Sequence, residues 1–234
     1  MASESQQRQG PAVKPHSASN TNHNQYIKDP VAHFKNMPWA NNLLSDPAVL
    51  EIIVVDRRPL PSGESNFVRR VMNSGTTVRA CVTFFRMLKP PKPSASSVQE
   101  ITKAKAVLQG GGSQDGEDPR NPFLLFNALL DLGEDLSSYA GTMHGGLFAV
   151  LMDEVMGTAA NFQSHHGAYT ASFTTNYRRP IKVPQVVLVR GRVVKKDGRK
   201  IFVRGCIEDK NGNVLAEGEG LWIQMDRNVG RSQL

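Results

Sequence analysis

The sequence predicts an α+β fold in which an antiparallel sheet wraps around one long central helix. Three observations predict it. The stretch from Gly141 to Gly157 opens with glycines around His144 and continues as a helical run, ending near Phe162, that is apolar on nearly every face. A helix apolar all round is a buried helix. Four strand-like segments follow: Ala168–Arg178, Val186–Lys195, Lys200–Asp209 and Val214–Met225. Asp197-Gly198 and Asn211-Gly212 separate the last three, and both dipeptides favour the tight primed turns of hairpins. The C-terminal half therefore reads as an antiparallel meander after one buried helix, and a sheet must curve to cover such a helix.

The elements before the helix follow from local patterns. Residues 1–28 are rich in Ser, Gln, Asn and His and read as disordered, having too little apolar surface to offset ordering entropy. Residues 29–75 read as an N-terminal extension with short helices. Asp29-Pro30 is a helix start, Phe34, Met37, Trp39, Leu43 and Leu44 supply an apolar side, and Ser45-Asp46-Pro47 predicts a further helical turn through Leu50. Glu51–Asp56 reads as extended and is broken by Arg58-Pro59-Leu60-Pro61. Phe67–Met72 reads as another strand, Asn73-Ser74-Gly75 as a turn and Thr76–Met87, rich in β-branched and aromatic residues, as a strand.

The main domain is expected over 76–225, with a low-complexity insertion at 89–120 that carries Pro90, Pro91, Pro93 and Gly110-Gly111-Gly112. A short helix over Ser97–Leu108 fits inside that insertion. Periodicity leaves Phe123–Leu132 open between helix and strand; its position before the glycine-histidine stretch reads as strand. The expected order is about two strands, the helix and four more strands, with a loose tail at 226–234.

Composition narrows the function classes. The chain has 234 residues and a formal net charge of +7. That charge attracts nucleic acid, a membrane surface or a phosphate-bearing small molecule, or is merely scattered on a solvated surface. No helix-turn-helix, zinc or RNA-binding signature is present, which argues against nucleic acid. Two cysteines, Cys81 and Cys206, make no disulfide scaffold. His165-His166 lacks metal-ligand spacing, so no metal site is expected. The run Leu147–Met152 is far short of the roughly 20 residues of a membrane span. The polar start lacks a signal-peptide core, so the expected compartment is the cytoplasm; a mitochondrial address is poorly supported.

The chemistry concentrates where the helix begins. Glycines flanking His144 let a ligand approach the backbone closely, or simply allow tight packing. The first amides of a helix lack internal partners, and with the helix dipole they favour an oxyanion. Asp153 lies nine residues after His144, about 13.5 Å along a helix. One reacting carbonyl cannot easily reach both ends of one copy, whereas two antiparallel copies could supply one end each. Glu154 points about 100° away from Asp153 and reads as a structural charge.

Thr142-Met143-His144-Gly145-Gly146 with Asp153 resembles the hotdog-fold thioesterases, nearest to the phenylacetic-acid-degradation type and the animal "thioesterase superfamily member" group. Thr170 through Tyr177-Arg178-Arg179-Pro180, Asp197-Gly198-Arg199-Lys200 and Ala216-Glu217-Gly218 extend the resemblance over roughly Asn121–Met225. It implies the hotdog fold and hydrolysis of an acyl-CoA substrate without metal or organic cofactor, in a homodimer or homotetramer. It further implies that Asp153 activates water or attacks the thioester and that Thr170 holds the water. Gly145 would donate its amide to the thioester oxygen and His144 would orient the helix start. Gly146 and Ser138 adjoin the substrate, Ser138 standing where some relatives carry Asn. Arg178, Arg179, Lys196, Arg199 and Lys200 become candidates for the coenzyme A phosphates, because a guanidinium fork suits phosphate. The competing readings are a non-catalytic acyl-CoA-binding or protein-interaction module on the same fold, and an acyl-thioester dehydratase or hydratase.

Overall fold

The computed structural model describes residues 23–87, 125–164 and 166–226. The expectations for the insertion 89–120, its helix over 97–108, His165 and most of both tails therefore lie outside the described residues. The chain forms α1 (Pro30–Lys35), α2 (Pro38–Leu44), β1 (Val49–Val54), β2 (Val78–Arg86) and β3 (Leu125–Leu132). A small hairpin, β4 (Ser137–Tyr139) and β5 (Thr142–Met143), leads into α3 (Gly145–Asn161). Four strands follow: β6 (Ala168–Tyr177), β7 (Gln185–Asp197), β8 (Lys200–Glu208) and β9 (Val214–Gln224). The α+β expectation is borne out, with α3 packed on a seven-stranded antiparallel sheet.

The sheet runs β1-β2-β3-β7-β8-β9-β6. Only β7, β8 and β9 form the expected meander, and β6 pairs with β9 at the far edge. The chain leaves α3 at that edge, so the first strand after the helix becomes the last strand of the sheet. Three sheet strands precede α3, one more than expected.

Other local readings change too. Phe67–Val71 is a π-helical turn, not a strand. Met72 is buried, Met72 and Val68 face one interior cavity, and a spacing of four is helical. Asp46 Oδ1 accepts from the Ala48 amide at 2.8 Å and closes a turn; the chain then enters β1 at Val49 instead of continuing as helix to Leu50. Residues 23–28, expected to be disordered, are tied to the domain. The Gln25 carboxamide accepts from the Cys81 amide at 2.6 Å and donates to the Cys81 and Val55 carbonyls at 2.8 Å each.

The sheet is covered on both faces at its β2–β3 side. One face packs α3 through Leu151, Met152, Val155 and Met156; the other packs Phe34, Ala40 and Leu44 of α1 and α2. Two-sided cover makes strands continuously apolar, which is why periodicity could not classify β3. The buried Asp131 carboxylate of β3 fastens this second layer, accepting from His33 Nε2 at 2.8 Å and from Arg79.

A row of cross-strand partners, Gly191, Gly205 and Gly218, crosses β7, β8 and β9 under α3. A Cβ at Gly191 would lie 3.1 Å from Met156 Cα, and one at Gly205 would lie 2.7 Å from Met156 Sδ. The missing side chains let the helix backbone settle onto the sheet, and they fix the height and axis of the helix that carries Asp153.

Candidate active site

The helix start is built by the residues just before it. His144 has extended backbone (φ −60°, ψ 132°) and is the N-cap. Its Nδ1 accepts from the Gly146 amide at 3.0 Å, satisfying one of the first helical donors. The Gly145 amide, by contrast, has no acceptor among the described residues. The Gly145 carbonyl accepts from the Tyr177 hydroxyl at 3.0 Å, and the Tyr177 ring meets Phe148 edge-on at 5.1 Å. The helix start is thus anchored to β6 with its first amide open.

The two glycines differ in what requires them. A Cβ at Gly146 would stand 3.2 Å from His144 Nδ1, so a side chain there would press on the capping imidazole. A Cβ at Gly145 would meet nothing nearer than the Tyr177 hydroxyl at 3.9 Å, so the chain's own packing leaves room beside the open amide. His144→Ala is expected to cost about 1 kcal/mol of stability through the lost cap, read as a lower midpoint in urea unfolding.

The second half of the site lies midway along α3. Asp153 Oδ1 accepts from Thr170 Oγ1 at 2.7 Å. Thr170 is exposed on β6, the strand at the open edge of the sheet, and Asp153 is half-buried. The hydroxyl commits its proton to the carboxylate, leaving its lone pairs and Oδ2 to face solvent. From Gly145 to Asp153 is eight residues of regular helix, about 12 Å. Thr170 and Tyr177 are separated by seven residues of strand, about 23 Å. The structure therefore joins Asp153 with Thr170 at one end of β6, and His144 with Gly145 and Tyr177 at the other.

Glu154 makes no ion pair among the described residues. Part of its surface is exposed to solvent, yet the desolvation it meets against the packed helix raises its pKa, the neighbouring Asp153 charge adds to this, and Arg57 opposes it.

The five basic candidates fall into two groups. Arg178 and Arg179 follow Tyr177 at the helix-start end; Arg178 is already paired with Glu217 at 2.7 Å, whereas Arg179 is held through its backbone amide. Lys196, Arg199 and Lys200 form the β7–β8 hairpin end. Lys196 donates to the Gln163 carbonyl at 2.9 Å, and Arg199 donates to the Gln224 carbonyl and pairs with Asp226. Lys200 lies beside Ile223, which lies beside Tyr169, so this group stands two strands from Thr170, about 10 Å. Ser138 is exposed in the β4–β5 hairpin and does not accept from the Gly145 amide. The role of Tyr177 was missed in the sequence, although its motif was noted; only the fold brings its hydroxyl to Gly145.

One long helix on a curved antiparallel sheet, with a glycine-rich helix start and a carboxylate–hydroxyl pair at the sheet edge, defines a hotdog-fold protein. Residues 140–216 match the model of the thioesterase superfamily. The chain is 34% identical over 100 residues to the mouse (Mus musculus) acyl-coenzyme A thioesterase THEM4, covering 42% of this chain and 43% of that one. It is 26% identical over 140 residues to the bovine (Bos taurus) protein of the same name, covering 55% and 56%. The matches thus span about half the length of these curated relatives. Among solved structures, smu.793 of Streptococcus mutans, bound to acetyl-CoA, aligns with a TM-score of 0.42 at 18% identity, over 45% of this chain and 84% of that one. No helix among the described residues is long and apolar enough to cross a membrane.

Proposed function

We propose that two copies of this chain, paired antiparallel through their β6 edges, hydrolyse an acyl-CoA to a free carboxylic acid and CoA. The observation that carries the reading is the Asp153–Thr170 hydrogen bond at an exposed sheet edge. A carboxylate fixed by one hydroxyl keeps an oxygen free to take a proton from water. Water attacks the thioester carbon, Asp153 takes its proton, and the carbonyl oxygen becomes an oxyanion. The open Gly145 amide of the second copy, at the positive end of its helix dipole, stabilises that oxyanion. The intermediate collapses and expels the CoA thiolate, whose conjugate thiol has a pKa near 8.5, so no strong general acid is needed.

Three further observations support the reading. Thioesterase-superfamily similarity covers every residue assigned here to catalysis. The named relatives are acyl-CoA thioesterases. The edge strand β6 leaves Tyr169 and Tyr177 59% and 56% exposed, and an unpaired edge is a template for a second chain. A two-fold axis across β6 brings the Asp153 end of one copy to the Gly145 end of the other. It also brings Arg178 and Arg179 of one copy toward the Lys196–Lys200 hairpin of its mate, a divided basic surface suited to the CoA phosphates.

Steady-state hydrolysis of a panel of acyl-CoA esters tests the activity, and tight binding without product would return the chain to the non-catalytic reading. Thr170→Val is expected to lower kcat roughly tenfold with little change in KM, because it loosens the water and its base rather than the substrate. An unchanged kcat would remove Thr170 from the site.

A further inference from the structure

A cavity of about 340 Å³ lies between α3, strands β2 and β3, and the N-terminal extension. It follows one side of α3 from Val150 to Phe162, roughly 18 Å of helix. Thr158 on that side is turned about 140° around the helix from Asp153. Asp153, Thr170, His144 and Gly145 do not line the cavity, so it is separate from the reacting pair.

Its two ends differ in chemistry. At one end Phe126 and Phe162 stand 6.0 Å apart, and Phe85 meets Phe162 edge-on at 4.8 Å. At the other end is Arg57, only 2% exposed. Arg57 Nη1 donates to the Met72 and Val78 carbonyls at 2.8 and 3.2 Å. Its Nε–H is buried with no acceptor among the described residues. The adjacent Asp56 carboxylate belongs to Arg58, with Arg69 and His23 each 3.9 Å away. Glu154 also lines the cavity, but it is exposed to solvent and makes neither an ion pair nor a hydrogen bond with Arg57 among the described residues. A buried guanidinium without a carboxylate partner is costly unless an anion offsets it. An apolar channel with an under-compensated cation at one end matches an amphiphile with an anionic head.

We propose that this cavity binds a straight-chain carboxylic acid of medium length, with its carboxylate on Arg57 and its tail along α3 toward Phe162. This assignment does not depend on the hydrolase reading, although a free acid is the product class of that reaction. Charge-assisted hydrogen bonds separate an acid from an alcohol of the same length.

The test is calorimetric titration of the full chain with dodecanoate and with dodecanol. Dodecanoate is expected to bind at least about tenfold more tightly, and Arg57→Met to erase that preference. Because Arg57 also holds two backbone carbonyls, Thr158→Phe provides a second variant that keeps Arg57 and fills the cavity from a half-exposed helix position. It is expected to weaken dodecanoate binding at least about tenfold and to leave KM for dodecanoyl-CoA unchanged. Asp153→Ala is expected to bind dodecanoate as the wild type does, whether or not the wild type hydrolyses thioesters. Equal binding of acid and alcohol, or undiminished binding by Thr158→Phe, overturns the proposal. So does loss of binding in Asp153→Ala, which would put the acid at the catalytic pair. A raised KM in Thr158→Phe would put the substrate's own acyl chain in the cavity and equally overturn it.

Discussion

Asp153→Ala is expected to slow acyl-CoA hydrolysis by roughly 10²–10⁴-fold, the range a positioned general base supplies. The carboxylate accepts from Thr170 at 2.7 Å, and Thr170 is solvent-exposed, so removing it strands no buried donor and the melting temperature should hardly move. A rate equal to wild type with intact folding would take the carboxylate out of the mechanism. The companion variant is Gly145→Pro. Gly145 is the first helical residue and its amide has no acceptor among the described residues. Proline is tolerated at that position and deletes only the N–H, and the extended His144 backbone suits a following proline. The expected loss is about 10²–10³-fold in kcat.

The two variants together test whether the site is shared. Neither homodimer contains an intact site, but a mixed dimer contains one intact site and one with both lesions. Co-expression with random pairing should restore about a quarter of wild-type activity. Activity no greater than that of the two variants assayed separately would mean that Asp153 and Gly145 do not serve a common carbonyl across an interface.

The parts legible in the sequence were those governed by local pattern. An apolar run of helical length gave α3, and Asp197-Gly198 and Asn211-Gly212 gave the turns between β7, β8 and β9. The same reasoning misplaced β6 in the sheet, because strand order depends on where α3 delivers the chain and no local pattern records that. Phe67–Val71 failed for a related reason: a short apolar run has no strand character without a strand to pair with, and Val68 and Met72 instead turn inward together.

The site was legible as motif and not as wiring. His144 and Gly145-Gly146 were visible, but only the structure distinguishes the occupied Gly146 amide from the open Gly145 amide. Arg57 and Glu154 are far apart in sequence, and their common cavity exists only after β1, the π-helical turn and α3 have packed.

Gly205→Ala is expected to cost about 3 kcal/mol or more, at the upper end for overpacking, while Gly218→Ala in the same row costs about 1 kcal/mol. The difference lies in what each new methyl would strike. At Gly205 it would stand 2.5 Å from the Arg190 carbonyl oxygen and 2.7 Å from Met156 Sδ. The sulfur can swing aside, but the carbonyl belongs to the neighbouring strand and moves only if the sheet does. At Gly218 the nearest atoms, 3.0 and 3.2 Å away, are Phe173 Cζ and Met152 Sδ, both side-chain atoms that can give. At roughly 2–4 °C per kcal/mol for a chain of this size, Gly205→Ala should melt about 6–12 °C below wild type and Gly218→Ala about 2–4 °C below. Equal melting of the two variants, or the reverse order, would show that α3 does not rest on this row as closely as the geometry requires. Gly205→Ala should also reduce the hydrolysis rate more than Gly218→Ala does, since lifting α3 at Met156 tilts the turn that carries Asp153 away from Thr170.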